Sequence, residues 1–139
     1  MDQAVIFMLA AILIVGVALF AMMTFGKNGK KYLNVDYYRS KWLSVEKQLK
    51  SDEPSSFHLV VLNADKLLDQ ALKERGFKGQ NMGERLRSSG DSLSNRNAVW
   101  AAHKLRNQVA HESDVRVSYD NARVALDSFK QALKDIGAI

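Results

Sequence analysis

The chain has 139 residues, a formal net charge of +5 and no cysteine, which bounds it to about one domain and excludes a disulfide framework or thiolate metal site. The positive charge is local. Residues 27–50 hold seven Lys and Arg against two acids, a net of +5, whereas residues 51–139 hold 13 against 12, a net of +1, so the globular part lacks the broad basic patch of a typical nucleic-acid binder.

Residues 4–25 carry no charge. At 1.5 Å per residue a helix of that length spans about 33 Å, enough for the hydrocarbon core of a bilayer. A cleaved signal sequence is the rival reading, but it calls for a basic N-terminal region and a shorter apolar run. Here the N-terminus carries Asp2 and no Lys or Arg. The expectation is a single-pass transmembrane anchor over residues 1–26. Lys27, Lys30, Lys31, Arg39, Lys41, Lys47 and Lys50 follow it, against Asp36 and Glu46. By the positive-inside rule the N-terminus lies outside and the C-terminal domain in the cytoplasm, with the bilayer as a partner whose anionic headgroups attract the same cations.

Residues 26–29 form a polar break. A juxtamembrane helix then runs to about Lys50, capped by Asn34 or Asp36, with Tyr38, Trp42, Val45 and Leu49 on one face. Pro54, the only proline, marks a breaker, and Ser55 or Ser56 is placed to cap the next helix. That helix has a wide apolar face of Phe57, Val60, Val61, Ala64, Leu67, Leu68, Ala71 and Leu72. Asp65, Lys66, Asp69, Lys73 and Glu74 are read as its wet side, His58 as a surface or packing residue, and Gly76 as its stop. Asn81 caps a short helix over residues 82–87, and residues 88–95, reading SSGDSLSN, suit a mobile loop.

The helix over residues 96–112 has Ala98, Ala101, Ala102, Leu105 and Val109 at the spacing of one buried face, and so belongs in the core. His103, Asn107 and His111 recur every four residues and form a second stripe beside it. Arg106 and His111 lie about 140° apart around the axis, so a cleft made with another helix or a second copy would be needed to gather both. After a turn at residues 113–117, Ser118 caps a last helix with Ala122, Leu126, Phe129, Leu133 and Ile136 at helical spacing and Gly137 at its end. No stretch alternates with strand period. The fold class is all-α: a transmembrane helix, a juxtamembrane helix with its linker over residues 27–54, and an antiparallel helical bundle over residues 55–139.

Arg106, Asn107 and His111 spell R-N-x-x-x-H, and this segment resembles the signature of the HEPN superfamily, in which an arginine followed by a polar residue precedes a histidine in a helical bundle. The likeness extends over roughly residues 57–136. It implies a homodimer whose paired helices line a cleft, often a metal-independent endoribonuclease acting on RNA. In that reading His111 is the general acid or base, Arg106 holds the scissile phosphate, and Asn107 orients either one. Position 113 is Ser113 rather than the tyrosine of the modified toxin subgroup, so that subgroup's regulation does not carry over. The competing expectation is a noncatalytic interaction or dimerisation module, suited to a near-neutral domain. The stripe of His103, Asn107 and His111 has no carboxylate between its members, so neither a metal nor a cofactor is expected, and the HExxH and phosphate-loop patterns are missing.

Overall fold

The computed structural model describes residues 2–25 and 31–139. The polar break at residues 26–29, with Lys27 and Lys30, lies outside the described residues. The chain divides into two compact units, residues 1–30 and 31–139, and among the described residues every regular element is helical.

The first unit is one helix, α1 (Gln3–Phe25). It is apolar all round and long enough to cross a bilayer.

The second unit comprises α2 (Val35–Gln48), α3 (Pro54–Arg75), α4 (Met82–Ser88), α5 (Arg96–His111) and α6 (Tyr119–Asp135), with a turn of 3-10 helix at Gly90–Ser92. Four of the five helices start where a side chain can accept a hydrogen bond from an otherwise orphaned amide. Asn34, Asn81, Asn95 and Ser118 accept from the backbone N–H three residues on, at 3.0 to 3.1 Å, each contributing about 1 kcal/mol. α3 is the exception. Pro54 occupies its first turn after Glu53, and neither Ser55 nor Ser56 caps it; the Ser56 hydroxyl instead pairs with both backbone groups of Lys50, at 3.2 and 3.3 Å. Gly76 and Gly137 end α3 and α6 at φ of 99° and 75°, the left-handed conformation that favours glycine.

The hub is α3, which packs against α2, α4, α5 and α6. It has that role because it carries a broad, continuous apolar face: Val60, Val61, Ala64, Leu68, Ala71 and Leu72 are all fully buried. Tyr38, Trp42 and Val45 bring α2 onto it, so residues 31–53 belong to the same compact unit as the rest. Tyr38 donates a 2.6 Å hydrogen bond to Glu74, and Lys130 of α6 pairs with Glu46 of α2 at 2.7 Å. Burial, then the bond to Glu74, pushes the Tyr38 hydroxyl well above its ordinary range; the same bond holds the Glu74 carboxyl low. Burial opposes charge on Glu46, but Lys130, Trp42 and Lys134 together outweigh it and lower that carboxyl.

Two expectations are corrected here. Residues 88–95 hold the 3-10 turn and bury Ser89 and Leu93, while Ser94 donates to Asp135 from both its amide and its hydroxyl at 2.8 Å. Asp65, read as part of a wet face, is 2 % exposed.

Candidate functional site

The buried face of α5 is Val99, Ala102 and His103, whereas Ala101 is exposed and Ala98, Leu105 and Val109 are half-buried. The buried side of α5 is thus shifted toward Val99 and His103 from the face its alanines and leucine suggest, although Leu105 and Val109 still pack against the core. The reason is a carboxylate. Asp65 falls on the apolar stripe of α3 with Val61, Leu68 and Leu72, and a buried carboxylate without partners would cost several kcal/mol. Turning His103 and Arg106 toward it supplies those partners.

The result is a closed ring of four side chains. Asp65 Oδ1 lies 2.7 Å from His103 Nδ1. Asp65 Oδ2 lies 3.3 Å from Arg106 Nε, an ion pair rather than a well-aligned hydrogen bond. Arg106 Nη1 donates to Asn107 Oδ1 at 3.1 Å, and Asn107 Nδ2 meets His103 Nε2 at 3.3 Å. A carboxylate only accepts, so His103 donates from Nδ1, and its Nε2 then accepts from the Asn107 amide. That one tautomer suits both contacts of the imidazole, while Arg106 Nε faces Asp65 as an ion pair without a hydrogen bond.

The ring forms one wall of an open cleft of about 980 Å³ between α3, α4 and α5. Trp100 stands beside it, edge-on to His103 at 6.0 Å. The opposite wall is fixed by Arg85, which is 8 % exposed; it forks onto Asp69 at 2.6 and 3.0 Å and donates to the Gly79 carbonyl at 2.7 Å. The bond to Asp69 holds the Arg85 guanidinium above its usual range. Gly79 is needed for this approach, since a Cβ there would lie 2.7 Å from the Arg85 backbone nitrogen. With Arg85 neutralised by Asp69, and Arg106 by Asp65, the cleft walls carry little unbalanced charge.

Of the three residues expected at a site, Arg106 and Asn107 line this cleft together, and His111 does not. His111 is the last residue of α5 and is exposed. Its place beside Asn107 is taken by His103, and Asp65 completes the group. Sequence reasoning grouped His103 with the stripe and missed Asp65, although a carboxylate at position 65 of an otherwise apolar 61, 65, 68, 72 stripe is the signal that marks it. His58 bonds the Val115 carbonyl at 2.9 Å and so holds the connection between α5 and α6 onto α3. Among the described residues no three His, Asp or Glu side chains gather as a metal-holding group.

The opposite side of α5 has different chemistry. Ala98, Ala101 and Leu105 meet Asn121, Val124 and Ser128 of α6 around a shallow, mostly apolar depression of about 240 Å³, and Val124 is 66 % exposed. Comparison with known proteins adds no relative to this picture: no family model, curated protein or solved structure matches the chain.

Proposed function

We propose that this chain is a single-pass membrane protein, N-terminus outside, whose cytoplasmic HEPN-like domain is a noncatalytic interaction module that pairs with a second copy through α5 and α6. The observation that carries the reading is the apolar depression where Ala101 and Val124 are exposed beside half-buried Leu105. Apolar surface left on a small domain marks a contact, and anchoring every copy in one plane by α1 raises the local concentration. The arrangement of the motif supports the same reading, because Arg106 and Asn107 are committed to Asp65 and His103 while His111 stands apart. The test is the mass of the detergent-solubilised full chain by light scattering. A dimer that becomes a monomer on Val124→Asp supports the module; a monomer at all concentrations rejects it.

A second reading has one observation in its favour: the cleft beside Arg106 and Asn107 is open and polar, with room for a phosphodiester. In that reading the domain is a metal-independent endoribonuclease, with Arg106 clamping phosphate and His111 moving a proton at the ribose 2′-hydroxyl. Cleavage of single-stranded RNA by the full chain in EDTA, abolished by His111→Ala, is its expected result; no cleavage, or equal cleavage by the variant, rejects it.

A further inference from the structure

α2 has two faces of unlike chemistry. Tyr38, Trp42 and Val45 face α3, and the outward side carries Leu43, 54 % exposed, between exposed Arg39 and Lys47 one turn to either side. Asp36 and Ser40 share that side. Just before the helix, Tyr32 is 97 % exposed next to exposed Lys31. The acids cancel this charge only in part. Glu46 is already paired with Lys130, Asp36 offsets one cation, and Arg39 and Lys47 make no ion pair among the described residues. Lys31, Arg39 and Lys47 against Asp36 leave the segment with a net charge of +2 around exposed Leu43, and cations close to a membrane helix are drawn to anionic headgroups.

The chain itself says which surface is within reach. Six peptide steps separate Phe25, where α1 ends, from Lys31, and even fully extended they span at most about 20 Å. With α1 in a bilayer, the headgroup layer is the nearest large surface available to residues 31–47.

We propose that the outward face of α2 docks on the anionic lipid headgroups of the leaflet that tethers it. Tyr32 and Leu43 enter the headgroup layer, and Lys31, Arg39 and Lys47 meet lipid phosphates. The inference rests on α1 being a retained anchor. Docking holds the domain in one orientation on the membrane, where a free tether would let it tumble, and so presents its remaining faces at a fixed height.

The absence of cysteine allows a single environment-sensitive fluorophore at Leu43→Cys in the full chain, reconstituted in nanodiscs of phosphatidylcholine alone or of phosphatidylcholine with phosphatidylglycerol. With the anionic lipid, the dye is expected to shift to the blue and resist an aqueous quencher, and high salt should reverse both. Arg39→Glu and Lys47→Glu should each weaken the shielding by roughly fivefold or more. A control dye at Asp91→Cys should stay exposed in both lipids. A Leu43 dye equally exposed in the two lipids, or equally shielded in both, overturns the proposal. Failure of the chain to stay with the nanodisc is read separately by co-purification, and rejects the anchor and the docking together.

Discussion

The two seams of α5 differ in kind. Toward α3 the contact is polar, a carboxylate, an imidazole, a guanidinium and an amide meeting one another around a ring. Toward α6 it is made of small and aliphatic side chains, and it opens onto solvent at Ala101 and Val124. The comparison teaches that the polar residues of a helix can be its structural side and the apolar residues its available side. A guanidinium and amide that resemble a catalytic pair hold α5 in register, while the alanine stripe that resembles a core face is left partly uncovered.

The largest expected effect breaks the polar seam. Asp65→Ala leaves Arg106 facing a void without its counter-charge and His103 without its acceptor, and should cost about 3 kcal/mol of stability in denaturant unfolding. A change below about 1 kcal/mol would mean that the ring does not hold α5. The two histidines of the helix then sharpen the contrast. His103→Ala removes a buried ring from Asp65 and should cost about 2 kcal/mol, whereas exposed His111→Ala should change stability by no more than about 0.5 kcal/mol. Equal losses would contradict the assignment of His103 to the interior and His111 to the surface.

Acid provides a graded version of the same comparison. Glu46 and Glu74 bind α2 to its neighbours, and both carboxyls sit below their ordinary value of 4.5. Asp135 does likewise below 3.8, because the amide of Ser94, the side chain of Gln131 and the hydroxyl of Ser94 together outweigh its burial. A lowered carboxyl favours the folded state above its unfolded value, and that contribution is lost as pH falls through the folded value. Stability should therefore decline as pH drops below about 4.5, and Glu46→Gln should flatten part of the decline. An unchanged slope in that variant would remove Glu46 from the account.

Much of this architecture is legible in the sequence because it rests on local rules. Asn81 and Ser118 cap where expected and Asn34, one of two candidates with Asp36, caps α2, Gly76 and Gly137 end helices by adopting positive φ, and α6 buries the Ala122, Leu126, Phe129, Leu133 and Ile136 stripe. The errors arise where a long-range partner overrides a local pattern. The hydropathy of Asp65 says surface, and only its partners on α5, Arg106 and, 38 positions away, His103, make its burial affordable; the same pairings shift the buried side of α5 from the face its alanines suggest. Ser56 fails to cap α3 because its hydroxyl has a better pair of partners in Lys50. Residues 88–95 read as a loop from composition, yet Asp135 of α6 gathers both hydrogen-bonding groups of Ser94. Arg106 and Asn107 share a wall of the cleft, and the angle of about 140° between Arg106 and His111 that their spacing sets leaves His111 outside it.

The smallest expected effect on stability belongs to the apolar seam, and it bears most on function. Val124 is exposed, so changing it should scarcely alter folding while acting directly on any contact between copies. The most direct measurement is thiol cross-linking in membranes that hold the full chain with Val124→Cys, using a short bis-maleimide. A covalent dimer from Val124→Cys, with none from Asp91→Cys on the 3-10 turn, is the predicted result; a Val124→Cys chain that remains monomeric under the same conditions would contradict the pairing of copies through α5 and α6.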